Sequence, residues 1–292
     1  MTLRHLLESR IERKHVLVVC LALLVGLAGC SGLGGQDGTA TATPTPTDTA
    51  TPGNDTSSIE DVDVSASEVI GPAAETLGGV DTYSLSGTLN ITVASPNGEQ
   101  NVQSTLNTSV NRGAMRLKST QTTRGITSET YLVDGTLYQR SPQFAQQYNS
   151  EWIKIGVSND SADQFNRNDE LAAHLVMLQN ASVTVVGAED VRGERAYRLR
   201  LAVNETALNA FYGFTNASAG IGSVNTTIWV GAESNRVLRA SGTITQQATI
   251  QGQSVDTTIV YDEYFDYGDV SISLPDAASS AVEINQTSGL GV

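Results

Sequence analysis

From Tyr83 to Val110 apolar and polar side chains change places at almost every step, and this period of two most constrains the fold. Tyr83, Leu85, Leu89, Ile91 and Val93 alternate with Ser84, Ser86, Thr88, Asn90 and Thr92. In extended backbone successive side chains point to opposite faces, so the segment has one face for a core and one for water. Pro96-Asn97-Gly98 then supplies the residues of a hairpin turn. The partner strand repeats the pattern, with Val102, Leu106 and Val110 inward and Gln103, Thr105, Asn107 and Ser109 outward.

The same signal recurs down the chain. Strands are predicted over 114–123, 127–133 and 137–140, the last two joined by Asp134-Gly135, and the segment closes on Trp152-Ile153-Lys154. They resume over 182–189 and 196–203 with Gly193 in the turn, then over 225–230, 236–249, 254–265 and 270–274. Helical spacing appears in three places. The first helix covers 67–77, with Ser65 or Ser67 as cap, Gly78-Gly79 as stop and Pro72 able to shift its start. The second covers 162–178 and carries Leu171, His174, Leu175 and Leu178; the third covers 205–214 with Asn204 as cap and Leu208, Phe211 and Tyr212 on one side. The expected class is mainly β with a few helices (α+β): a curved antiparallel half-barrel of about 10–11 strands, covered by helices on its concave face.

The start of the chain has another character. Arg4, Arg10, Arg13 and Lys14 precede an apolar run over 16–27, which ends in Leu27-Ala28-Gly29-Cys30. A basic start, a short apolar run and small residues form the layout of a secretory signal. The run is about 12 residues long, against ~20 for a spanning helix. The closing box resembles the lipobox of prokaryotic lipoproteins, which implies that residues 1–29 leave and that Cys30 carries a lipid. Two acyl chains suffice for stable anchoring where one does not. No twin-Arg pair is present, so general secretion is favoured, with the folded-protein route left open. Residues 30–58 are rich in Gly, Thr, Pro and Asp and read as a disordered stalk, which as a coil would hold the domain ~30 Å from the membrane. The domain itself is expected over 59–278, with a loose tail over 279–292.

Charge narrows the partners. The chain has 17 basic and 31 acidic residues; without the leader 13 remain against 29, a net of −16. Such a surface repels nucleic acid and anionic headgroups at ordinary salt. It suits molar salt, where the Debye length falls to ~3 Å. Lysine occurs only at 14, 118 and 154, and the basic charge is mostly arginine, a balance that resembles proteins of halophilic archaea. Nine Asn-X-Ser/Thr sites, at Asn54, Asn90, Asn107, Asn159, Asn180, Asn204, Asn216, Asn225 and Asn285, exceed the three to four expected by chance from 17 Asn and 60 Ser plus Thr. The excess points to an extracytoplasmic, glycosylated surface.

Catalytic equipment is sparse. Cys20 belongs to the leader and Cys30 to the lipid, so the mature domain has no disulfide and no thiol nucleophile. His5 and His15 also belong to the leader; His174 remains, and beside Leu171, Leu175 and Leu178 it reads as a packing residue at the core edge. A zinc site built from several Cys or His is therefore not expected, nor any cofactor. No phosphate-binding glycine loop, Gly-X-Ser-X-Gly elbow or dinucleotide fingerprint occurs. Asp262, Glu263, Asp266 and Asp269 lack the spacing of a calcium loop and read as a solvated acidic face. The candidate apolar floor comprises Leu85, Leu89, Ile91, Leu117, Leu199, Leu201 and Trp229, with Phe211 as part of a lid.

Four stretches carry a family resemblance: Glu129-Thr130-Tyr131-Leu132-Val133-Asp134-Gly135-Thr136-Leu137-Tyr138; Glu151-Trp152-Ile153-Lys154; Val186-Gly187-Ala188-Glu189-Asp190-Val191-Arg192-Gly193-Glu194-Arg195-Ala196-Tyr197; and Tyr264-Phe265-Asp266-Tyr267-Gly268-Asp269-Val270-Ser271-Ile272-Ser273-Leu274-Pro275. Through them the chain resembles the LolA-like and LppX/LprG-like envelope lipoproteins and their haloarchaeal relatives. The resemblance implies an open half-barrel whose members bind lipid tails, glycolipids or acylated proteins in the concavity, while others sense envelope stress. No ligand residue can be carried over, because the group reads its cargo through apolar shape. The expected role is a lipoprotein on the extracytoplasmic face of the membrane, anchored through Cys30, that binds a lipid or lipoprotein ligand without catalysis. The alternative is a structural or sensory envelope protein that acts through protein contacts.

Overall fold

The computed structural model of the chain describes residues 60–156, 165–166, 168–203, 219–250 and 253–284, all within the unit Ser57–Val292. The elements run α1 (Ala66–Gly78), β1 (Thr82–Ser95), β2 (Gly98–Asn111), β3 (Arg116–Thr123), β4 (Ile126–Val133), β5 (Thr136–Arg140), α2 (Phe144–Tyr148) and β6 (Trp152–Gly156). They continue with α3 (Glu170–Asn180), β7 (Ser182–Val191), β8 (Glu194–Ala202), β9 (Ala219–Gly231), β10 (Val237–Ile250), β11 (Gln253–Tyr267), a 3-10 turn (Asp276–Ser280) and β12 (Val282–Glu283). The twelve described strands form one open, curved sheet in the order β12-β6-β5-β4-β3-β2-β1-β11-β10-β9-β8-β7. Among the described strands only the β12–β6 pair is parallel.

Turn chemistry sets the registers. Asp134 and Gly135 have φ of 50° and 71°, and Arg192 and Gly193 have 51° and 87°. Two successive positive φ values make a type I′ turn, whose twist matches that of the flanking strands and whose second position favours glycine. The β1–β2 hairpin turns through Pro96 and Asn97 and pairs Ser95 with Gly98.

Two helices close the lower part of one face. In α1 the buried residues Val69, Ala73 and Leu77 recur every four positions and meet the sheet. Ser65 and Glu68 complete a capping box at its start. Pro72 lies inside the helix on its exposed side, where the carbonyl left without a partner belongs to the exposed Glu68. The main core joins these residues to Leu171, Met177 and Leu178 of α3 and to Tyr83, Leu85, Val110, Leu117, Leu199, Leu201, Ile228, Val230 and Phe265 of the sheet.

Three expectations change. Among the described residues the sheet has twelve strands against about ten or eleven expected, and the two-residue β12 falls within the region assigned to a loose tail. The helix expected over 162–178 is interrupted: Asp169 is extended, with φ −91° and ψ 93°, and its side chain caps a helix that begins at Glu170. Asp competes for backbone N–H groups and so favours a cap over a helix interior. The segment 270–274 is not a strand. Its alternation buries Ile272, and partly buries Val270 and Leu274, against Tyr131, Val133 and Trp152 on the face opposite the helices, with packing taking the place of a ladder.

Candidate functional site

The register places side chains of one face in rows across the sheet. Tyr267, Tyr83, Val110, Leu117 and Leu132 make one row, and Phe265, Leu85 and Thr108 the next. Above them come Leu199, Ile228, Ala240, Glu263, Gly87 and Leu106. The following rows are Leu201, Thr226, Gly242, Tyr261, Leu89 and Ser104, and then Val224, Ile244, Ile259, Ile91 and Val102. Helices α1 and α3 cover the first rows. Apart from Leu201, which joins the main core, the last two belong to the part of the long strands that runs on toward the hairpin ends.

Two polar groups interrupt this apolar face. The first centres on Asp169, which is 3 % exposed. Arg112 donates to it through Nε at 2.7 Å and a terminal nitrogen at 3.1 Å, and the Tyr83 hydroxyl donates at 2.8 Å. Tyr83 in turn accepts from the Leu171 amide at 3.2 Å, and Asp169 Oδ1 accepts from the Ala172 amide at 3.0 Å. Arg112 also donates to the carbonyls of Leu77 and Val80 at the end of α1. One carboxylate thus ties the start of α3, the end of α1 and the sheet together, with its charge met by donors throughout. Burial, and then the Asp169 charge, raise the Tyr83 hydroxyl far above the ordinary phenol range, so it stays a donor.

The second group is Glu170, His174 and Glu263, whose ligand-type atoms all lie within 4.8 Å of one another. Glu170 and His174 are four apart on α3 and therefore share a face. Glu263 comes from the middle of β11, 8 % exposed, opposite Gly87. A Cβ at Gly87 would stand 3.0 Å from Glu263 Cγ and 2.7 Å from the Asp262 carbonyl, so the glycine makes room for the carboxylate. His174 is 2 % exposed, and its ring meets Phe265 edge-on at 5.5 Å. Its Nε2 stands 3.5 Å from Glu263 Oε2, and neither ring nitrogen has a hydrogen-bond partner among the described residues. Burial first, and then the charges of Glu263 and Asp169, raise the Glu170 carboxyl to about 8. The side chain reaches solvent in part, but its carboxyl lies inside this cluster.

Of the residues expected in an apolar floor, Leu85, Leu117, Leu199 and Leu201 are buried in the main core beneath the helices. Leu89 and Ile91 lie on the same face higher up and are half-buried. Trp229 stands on the other face, between Ile228 and Val230 of the core. There it packs with Val191 and Ala196, donates to Glu189, and lies under the Arg239 guanidinium at 4.5 Å. Phe211 is outside the described residues, as are Cys30, Asn159, Asn204 and Asn216. Asn107, Asn180 and Asn225 are exposed, while Asn90, on the face opposite the helices, is half-buried with its Oδ1 enclosed.

The acidic run of β11 divides by strand alternation. Asp262 pairs with Arg239 at 2.7 Å and Asp266 with Arg192 at 3.1 Å on the face away from the helices, whereas Glu263 points to the opposite side and into the protein. The reading of all four acids as one solvated face therefore fails at Glu263. Sequence reasoning also missed the Glu170–His174–Glu263 cluster. Its readable half was the spacing of Glu170 and His174, but the third member comes from a strand 89 residues further on.

No helix among the described residues is long and apolar enough to cross a membrane. An open groove of about 540 Å³ runs between α1 and the end of α3, lined by Ile70, Gly71, Leu178 and Val183 among others.

No curated protein matches the chain in sequence. Among solved structures it is similar to LprF from Mycobacterium bovis, at 11% identity and a TM-score of 0.41, over 73% of this chain and 97% of that one. It is also similar to the lipoprotein LppX from Mycobacterium tuberculosis, at 10% identity and a TM-score of 0.37, over 66% and 92% of the two chains. A LolA superfamily protein from Nitrosomonas europaea is similar at 13% identity and a TM-score of 0.26, over 71% and 96%. In sequence, residues 15–210 match the model of DUF7537, a family of unknown function, and the chain belongs to that family.

Proposed function

We propose that the protein is exported, held at the outer face of the membrane by a lipid on Cys30, and binds an apolar, lipid-like ligand without catalysis. The observation that carries the binding reading is the upper part of the helix-bearing face. Leu89, Ile91, Val102 and Ile259 lie side by side in register there, are half-buried, and belong to none of the three core clusters of the described residues. The flanking Ser104 and Thr226 add hydroxyls whose bonds go to Thr123 and Tyr261, so the surface presents hydrocarbon with few free polar groups. Covering such a surface with an alkyl chain would release ~0.8 kcal/mol per buried CH₂. The basic and apolar leader ending at Leu27-Ala28-Gly29-Cys30 supports the address.

A second reading, a structural or sensory protein with a filled core, is favoured by the lower half of the same face. Leu85, Leu117, Leu199 and Leu201 are 0–4% exposed and leave no room for a ligand beneath the helices. Native mass spectrometry of the full chain from its own type of host, before and after solvent extraction, separates the two. A stoichiometric adduct that extraction removes, and that Ile91→Glu abolishes, is the result expected for a lipid binder. A bare mass together with no uptake of added diether or diacyl lipid would end the binding reading.

A further inference from the structure

We propose that Glu170, His174 and Glu263 form a binding site for one divalent transition-metal ion, of the zinc or manganese type, that links α3 to the sheet. The site is independent of the lipid reading and asks for a different ligand. Three features of the cluster converge on a cation.

The first is the donor set. Two carboxylates and one imidazole come from two elements packed against each other, with donor atoms within 4.8 Å. Zinc takes nitrogen and oxygen ligands at ~2.0–2.2 Å, which spaces them about 3.3–3.6 Å apart, so these side chains need to close by about one ångström. Imidazole suits zinc and iron, carboxylates suit manganese, and the cluster contains no sulfur that would select copper(I).

The second is what the cluster lacks. His174 is 2 % exposed, yet both ring nitrogens are without hydrogen-bond partners among the described residues. A buried polar group without a partner costs ~1–3 kcal/mol, and buried groups are almost always paired. A cation coordinated by one ring nitrogen satisfies that atom and the two carboxylates together. It also offsets the repulsion between the two facing carboxylates, Glu170 and Glu263.

The third is the surroundings. Asp169, the next acid in space, is committed to Arg112, Tyr83 and the Ala172 amide, so it does not compete for the ion. Phe265 sets the plane of the His174 ring, and Gly87 clears the space beside Glu263. Three protein ligands leave at least one coordination position for water or another donor.

Full-length chain stripped with a chelator and dialysed against Zn²⁺ or Mn²⁺ should retain one ion per chain, measured by elemental mass spectrometry. His174→Gln and Glu263→Gln should each weaken retention by about tenfold or more while leaving the circular dichroism spectrum unchanged. Retention that is absent, or that both variants keep at the level of the unmodified chain, would overturn the site, the second case assigning the ion to surface carboxylates. X-ray absorption at the metal edge of the unmodified chain covers the case of variants that do not fold. Imidazole scattering is expected, and a shell of oxygen alone would refute the assignment.

Discussion

Asp169 and Glu170 are neighbours in the chain and both are acids at the start of α3, yet the fold treats them in opposite ways. Asp169 has a guanidinium, a phenol and a backbone amide around it, and its charge is met inside the protein. Glu170 faces Glu263 and the unpartnered His174, and burial works against its ionised form. The pair shows that burying a carboxylate is not in itself strain. The number and sign of the groups waiting for it decide the outcome.

Removing the partner of the satisfied acid should have the largest effect. Arg112→Ala would leave Asp169 buried and short of its cation and would release the end of α1, with a cost of about 3–5 kcal/mol. Urea denaturation measures it, and a loss below ~1 kcal/mol would erase the contrast between the two acids.

Next in size is the pH response of the unsatisfied acid. Its carboxyl sits at about 8 in the folded chain against 4.5 ordinarily. The folded state therefore holds the proton more tightly than the unfolded state. The stability this contributes is full below the ordinary value and is lost as the pH climbs to about 8. Chelator-treated protein should lose on the order of 2–4 kcal/mol over that interval, and Glu170→Gln should flatten the curve. A chain without chelator but with bound ion should show a weaker slope, because the cation holds the carboxylate ionised.

The caps offer a smaller comparison. Asp169 caps α3 from the interior, whereas Ser65 caps α1 in water. Ser65→Ala should cost only about 1 kcal/mol in the same denaturation experiment. The smallest effect is expected for Arg192→Gln: it removes an exposed pair with Asp266 that contributes about 0–1 kcal/mol. A larger loss there would indicate that stacking of Arg192 on Tyr264 at 4.3 Å matters more than the charge pair.

Much of the sheet was legible because strand alternation is local. Tyr83, Leu85 and Val110 lie on the buried face that their spacing predicts, and the turns at Asp134-Gly135 and Gly193 fall where glycine chemistry places them. Alternation says less about which of two buried faces a residue joins. Trp229 and Ile228 are both enclosed, and only the register with β8 and β10 separates the core beneath the helices from the arginine-stacked face. The same ambiguity made the segment 270–274 read as a strand, since an apolar alternation packed across a sheet resembles one paired within it.

By itself the sequence determined the mainly β class, the strand-by-strand alternation, the acidic surface and the leader-like start, because each depends on neighbours a few residues apart or on composition. The tertiary structure decided which acids are paired and which confront each other. Glu170 and Glu263 meet only because β11 lies beside β1 in the middle of the sheet and α3 folds back over it. Electrostatic energy depends on distance in space, and distance along the chain does not report it.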